Sequence, residues 1–332
     1  MMAIQQAFIG KRLKRDIITR DGRFLLPKNI SLQHVDVKLL IKHQIFLEKE
    51  DVAHPEEAII QDTAGQIKEI FQFAKQNYQI PLTEVERVLT PAIYELSENQ
   101  DVFSILSLLQ SKDDYIYKHN IGVAILSTLI GKWINLSTEQ LSCLCTAALL
   151  HDIGKVGIPN HILNKPGKLT DTEFEIMKRH THFGHELLRN TKRCEDVYST
   201  VALQHHERED GSGYPYHLKA QQIHPFSKIV AIADVFHAIT SKRVYRDPPP
   251  FHEVINQMHA ERFGKLNPHI LHTFMNQIMN SLVGKSALLS DGREGIITFI
   301  HPFYPTTPII KTGDEFVDLN THPSVHIETV FP

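Results

Sequence analysis

Two textures alternate along this chain. From about residue 56 to 282, apolar positions recur every three or four residues, as amphipathic helices require. Both ends instead carry short β-branched runs broken by turn residues. In "RDIITRDGRFLLPKNISL" the Asp21-Gly22 pair sits between two apolar runs and predicts a turn between strands. The following "SLQHVDVKLLIKHQIFL" predicts a helix with Ser31 as its cap. "AGQIKEIFQFAKQNYQ", "PLTEVERVLTPAIYELSE" and "DVFSILSLLQ" continue as helices. Pro81 and Pro91 punctuate them, the second at a helix start or kink.

Helical spacing dominates residues 111–282, in "DDYIYKHNIGVAILSTLIGKW", "STEQLSCLCTAALLHDIG", "TDTEFEIMKRHTHFGHELLRN", "EDVYSTVALQHHE" and "FSKIVAIADVFHAITSKRVY". Ser137 and Gln140 have the spacing of a capping box at the start of the second. After Gly284, "ALLSDGREGIITFIHPFYPTTPIIKTGDEFVDL" combines a D-G turn, β-branched runs and prolines, which predicts a β-rich tail. The expected fold class is mainly α: a helical bundle with a small β-containing N-terminal segment and a β-rich C-terminal tail. Three regions are expected: 1–110 for docking or regulation, 111–282 for catalysis, and 283–332 as the extension.

Composition narrows the classes. Of 332 residues 42% are hydrophobic and 22% charged, the balance of an ordinary globular chain. Runs such as "IGVAILSTLIG" are too short to span a bilayer. In "MMAIQQAFIGKRLKRD" the basic residues follow the apolar part, the wrong order for a signal peptide, so a cytoplasmic protein without membrane insertion is expected. Cys143, Cys145 and Cys194 offer no pairing scheme and read as buried reduced thiols. A net charge of −3 excludes a global basic field for long nucleic acid, although a few local cations suffice for a small anion. The outlier is histidine, with 21 copies, which directs attention to metal binding.

Seven ligand-type residues are spread through the helical region: His119, His151, Asp152, His180, His205, His206 and Asp234. Singly, each has a plain structural alternative; His119 on an amphipathic helix reads more naturally as a core or surface residue than as a ligand. His151-Asp152 differs, because it directly follows "AALL", and a charge buried there costs several kcal/mol unless paired or metal-bound. The set holds no thiolate, and imidazole with carboxylate suits iron, manganese, zinc, nickel or cobalt. Neighbours on a helix point about 100° apart, so His151 and Asp152 could reach two ions, or Asp152 could bridge them. Lys155 follows a Gly154 that could end the helix. Gly211 and Gly213 frame a polar loop ahead of Tyr214-Pro215, and Arg243 and Arg246 follow Asp234. Guanidinium and ammonium groups beside a metal cluster make a phosphate clamp, whereas alone the arginines read as solvated surface.

"HDIGK", "HHEREDGSGYP" and "DVFHAITSKRVYR", with "KVGIPNHILNKPGKLTDTEFEIMKRH" between, resemble the HD-GYP subgroup of the HD phosphohydrolase superfamily, over about Asp113 to Ser281. The resemblance implies an HD-type helical bundle with a metal centre, commonly of iron or manganese, that hydrolyses cyclic di-GMP to pGpG and onward in some members to GMP. It implies that His119, His151, Asp152 and Asp234 hold one divalent ion. Asp152 would bridge to a second, completed by His180, His205 and His206. Lys155, Tyr214, Arg243 and Arg246 fall where the family contacts substrate, with Asp152 and Lys155 the expected catalytic residues. The segment before residue 100 is similar to one found ahead of some HD-GYP domains. It is expected to dock a signalling protein or a second copy of the chain.

Departures from the family pattern are explicit. Tyr115 stands where a third-metal glutamate occurs in some members, so two ions are expected. His237 replaces an aspartate, Val244 a proline and Thr181 a proline; His182 and His185 lie near His180 but outside the pattern. Two rivals remain: an HD phosphohydrolase for another cyclic dinucleotide or nucleotide, and a module that binds cyclic di-GMP with little catalysis.

Overall fold

The Asp21-Gly22 signal closes a hairpin. Gly22 takes φ +84°, and Thr19 and Arg23 exchange the turn hydrogen bonds between β2 (Ile17–Ile18) and β3 (Phe24–Leu26), preceded by β1 (Arg12–Leu13). The structure is a computed structural model that describes residues 8–19, 21–28, 30, 32–48, 51–53, 55–99, 102–110, 114–241, 249, 251–261 and 264–331. After β3 come α1 (His34–Lys42) and β4 (Val52–Ala53), which pairs antiparallel with β1. Ser31 lies outside the described residues; α1 begins after Gln33, whose N–H donates to Asp36 at 2.8 Å. Phe8, Leu13, Ile17, Leu26, Leu32 and Leu40 form a separate small core, and Met1–Asp62 is one compact unit.

Thr63–Pro332 is the second compact unit. The chain passes from the first to the second within α2 (Pro55–Asn77). Next come α3 (Leu82–Glu84), a π-helical stretch over Val85–Leu89 and α4 (Thr90–Ser97), which continues directly from it, with Pro91 at the junction. After α5 (Val102–Leu108), α6 (Tyr115–Trp133) is buried from His119 through Gly131, and this all-round burial marks the central helix of a bundle. It packs against α4, α7 (Thr138–Leu149) and α12 (Pro225–Thr240). Ser137 caps α7: its side chain accepts from Gln140 N at 3.2 Å, and Gln140 accepts from Ser137 N at 3.0 Å, as the spacing predicted.

Beyond α7 lie a short 3₁₀ segment (Ile153–Gly157), α8 (Asn160–Leu163), α9 (Asp171–Lys178), α10 (His180–Arg189) and α11 (Asp196–Gln204). The stretch "TDTEFEIMKRHTHFGHELLRN" is therefore two helices that meet at Arg179, not one. After α12 follow α13 (Phe251–Glu261) and α14 (Pro268–Asn280). The tail is a five-stranded antiparallel sheet in the order β8-β7-β6-β5-β9, built from β5 (Ser286–Leu289), β6 (Glu294–His301), β7 (Tyr304–Thr312), β8 (Glu315–Asp318) and β9 (Ile327–Val330). Ile297, Ile310 and Val317 face inward, and register shifts between Ile297 and His301 let Ile300 join them, with α14 packed against β6 and β7. The fold is mainly α, as expected. Among the described residues no helix is long and apolar enough to cross a membrane. Burial pushes the Cys143 and Cys145 thiols up to about 12 and Cys194 up to about 11, so all three stay protonated.

Candidate metal centre

Five chain segments converge on one point. His119 comes from α6, His151 and Asp152 from the turn after α7, His180 from the first turn of α10, and Asp234 from α12. His205 and His206 follow the end of α11. The helix ends at Leu149, so His151 and Asp152 are not helical neighbours: a turn, rather than a 100° rotation, separates their side chains. Gly154 does not cap that helix either. A Cβ there would lie 1.9 Å from His180 O, so the glycine lets α10 lie directly on the turn and bring His180 to Asp152.

The seven side chains form two groups, each with ligand atoms within 4.8 Å of one another: Asp152, His180, His205 and His206 in one, His119, His151 and Asp234 in the other. Asp152 lies between them. Its Oδ1 faces His180 Nε2 at 3.3 Å and His205 Nε2 at 3.8 Å; its Oδ2 faces His151 Nε2 at 3.4 Å and His119 Nε2 at 3.9 Å. Asp234 meets His119 Nε2 at 3.0 Å and His206 Nδ1 at 3.8 Å. All are buried except His206, which is partly exposed.

The backbone sets the tautomers. His151, His180 and His205 each turn Nδ1 toward a main-chain carbonyl, at 2.7 Å (Ala148), 2.8 Å (Met177) and 3.0 Å (Ala202). A carbonyl only accepts, so each Nδ1 carries the proton and each Nε2 presents a lone pair to the centre. Electrostatics agree. Burial pushes His180 down to about 4 and His205 down to about 3, and holds His119 and His206 below the usual histidine value. For Asp152, burial alone would raise the carboxyl, but Lys155 and His151 outweigh it and hold it well below the carboxylate range; His119 does the same for Asp234. His151 and Lys155 shift upward, because the Asp152 charge outweighs burial at both. Neutral imidazoles at His119, His180, His205 and His206, with both carboxylates ionised, are the protonation states that metal ligation requires; His151 shifts the other way.

A cation fits this donor set. The Nε2 atoms of His180 and His205 face each other at 3.3 Å with both lone pairs inward, a repulsive contact that a positive ion between them relieves. His151 Nε2 and Asp152 Oδ1 are buried without a hydrogen bond, a cost of about 1–3 kcal/mol each that ligation removes. Lys155 donates to Asp152 Oδ2, the oxygen facing His119 and His151, so it shares that oxygen with any ion held there.

Above this floor opens a cavity of about 760 Å³, within the range of small-molecule sites. Lys155 and Tyr214 line it. Tyr214 lies with its ring 4.7 Å from that of His206. Its loop is pinned by two devices. Buried Glu207 accepts from Tyr216 N at 2.7 Å and Leu218 N at 2.9 Å. A Cβ on Gly213 would meet Arg208 N at 2.4 Å, so only glycine lets the loop close on His206. Arg243, Val244 and Arg246 lie outside the described residues. His182 and His185 join neither group; His185 Nδ1 bonds Ser199 O at 3.1 Å, and His182 packs against Tyr216. Tyr115 stacks on His119 with ring centroids 5.7 Å apart.

Several wall residues were not anticipated: Phe174, Arg208, Gln257, Glu261 and Lys265. Arg208 stood within the quoted "HHEREDGSGYP", and the four-residue spacing of Gln257 and Glu261 marks one helix face. Neither signal says which way that face points. His237, noted only as a departure, backs His119: their Nδ1 atoms are 3.0 Å apart, and a Cβ on Gly122 would strike His237 at 2.0 Å.

The HD domain family model matches residues 104–270, about half the chain, and the chain belongs to that family. It is 37% identical, over 63% of this chain and 50% of the relative, to a protein from Pseudomonas aeruginosa named cyclic di-GMP phosphodiesterase. A protein of the same name from Thermotoga maritima is 40% identical over 53% of this chain and 48% of its own length. A Vibrio cholerae protein named 3'3'-cGAMP-specific phosphodiesterase 2 is 33% identical over 60% of this chain and 38% of its own. The chain thus spans about half the length, or less, of these curated relatives.

Proposed function

We propose that this chain is a metal-dependent phosphodiesterase that hydrolyses cyclic di-GMP to linear pGpG, with GMP as the further product. The observation that carries this reading is Asp152, which turns one carboxylate oxygen to each of two histidine groups on the floor of a nucleotide-sized cavity. His119, His151, Asp152 and Asp234 would hold one divalent ion, and Asp152, His180, His205 and His206 a second. Bound iron or manganese would supply a Lewis acid for phosphoryl oxygens and a lowered pKa for water. The protein's own groups do the rest. Lys155 brings a cation to the floor, where it neutralises charge on a non-bridging phosphoryl oxygen as water adds to phosphorus and the 3′-oxygen departs. Tyr214 borders the same space, and burial keeps its hydroxyl protonated. Arg243 and Arg246 are assigned to substrate phosphate on the family pattern. The N-terminal unit, with its own core, is assigned to docking of a signalling partner or a second copy, in the cytoplasm where the messenger acts.

The test is anaerobic purification, elemental analysis and product chromatography. The proposal requires about two metal ions per chain and metal-dependent release of pGpG; a protein that binds the nucleotide tightly but forms no product would instead be a receptor. The Vibrio cholerae relative supports a second substrate, 3′3′-cyclic GMP-AMP. The ratio of kcat/KM for the two cyclic dinucleotides decides between them.

A further inference from the structure

Phe174 is 47% exposed, yet it stands in the wall of the same cavity as Asp152 and Lys155. A phenyl ring there needs a reason, because an open, charged cavity gives it little apolar burial. Packing does not supply one. Helix α9, which carries Phe174, has no fully buried residue, and Phe174 is one of its exposed positions. The helix is nevertheless held firmly. Thr170 accepts from Glu173 N at 3.3 Å, Glu173 accepts from Thr170 N at 2.7 Å, and Lys165 pairs with Glu173 at 2.5 Å.

The surroundings are those of an aromatic recognition surface. Phe174 stands edge-to-face with Tyr214, ring centroids 6.3 Å apart and planes at 80°, and Tyr214 in turn lies against His206. A line of rings therefore runs from the ligand cluster to Phe174. Lys178 Nζ sits 5.5 Å from the Phe174 centroid and 5.7 Å from that of Tyr214, and pairs with Glu175 at 2.6 Å. Rings and cation are thus arranged before anything binds.

We propose that Phe174 is a nucleobase platform: a purine ring of the substrate stacks on its face while the scissile phosphate lies at Asp152 and Lys155. This rests on the phosphodiesterase reading for its substrate and deepens it, because it separates base binding from phosphate binding. Stacking of a base on an aromatic side chain contributes about 1–3 kcal/mol, which is about 5- to 140-fold in affinity at 1.4 kcal/mol per tenfold.

Phe174→Ala should raise KM for cyclic di-GMP by about that factor with little change in kcat, and leave the inhibition constant of inorganic phosphate unchanged. Phe174→Trp should restore KM. An unchanged KM in Phe174→Ala, or a phosphate inhibition constant that rises in step with KM, overturns the platform. If the parent chain cleaves no cyclic di-GMP, the substrate assignment fails, and a second measurement decides the platform separately. In metal-depleted Phe174→Trp, GMP should quench the new indole, read against the parent chain with its single Trp133, and ribose 5-phosphate should not. Equal responses, or none, reject it.

Discussion

Asp152 Oδ1 lies 3.3 Å from His180 Nε2 without a hydrogen bond between them, although both side chains are buried. Two acceptors held this close are strained alone and satisfied together by a cation. Asp152→Asn preserves the shape but removes the charge that serves both groups. If the proposed function holds, it should lower metal content below two ions per chain and bring turnover of cyclic di-GMP below detection, while circular dichroism shows the helices intact. Full metal occupancy in this variant would remove Asp152 from the bridging position.

Gly122 and His237 form a second pair. A methyl group at 122 would sit 2.0 Å from His237 Nε2, and an overpacked core costs about 1–3 kcal/mol. Gly122→Ala should lose stability in denaturant unfolding, and adding His237→Ala should restore part of it. His237→Ala alone removes the group that meets His119 Nδ1 and should weaken metal affinity about 10- to 100-fold, measured by competition with a chelator.

Glu207→Ala leaves the N–H groups of Tyr216 and Leu218 without their acceptor, at about 1–3 kcal/mol for each left buried. The loop carrying Tyr214 should then open more often. Faster protease cleavage within residues 208–218 and a raised KM are expected; unchanged cleavage would show that Glu207 does not restrain the loop.

Acid should dismantle the metal-free centre. His180 and His205 fall from an ordinary 6.5 to about 4 and about 3 on folding, so between those values and 6.5 the unfolded chain binds more protons than the folded one. Stability therefore falls as pH drops from about 6.5 toward 4. His119 and His206 add in the same sense, and His151 opposes them. The melting temperature of chelator-treated protein should decrease from pH 7 to pH 4.5. A flat profile would mean that these imidazoles titrate normally.

What the chain determined by itself was local. Hydrophobic spacing marked the helices, Asp21-Gly22 marked the hairpin, Ser137 and Gln140 marked a cap, and residue chemistry singled out the seven ligand-type side chains, because each signal spans only a few neighbouring residues. Tertiary structure decided what depends on distant segments. It placed His151 and Asp152 in a turn rather than a helix, because α10 lies against Gly154 there. It broke the chain at Arg179, so that His180 begins a new helix aimed at Asp152. It set His237 behind His119, 118 positions away, and swung Phe174 into the cavity wall. Spacing along one helix shows which residues share a face. Only packing against the others shows what that face meets.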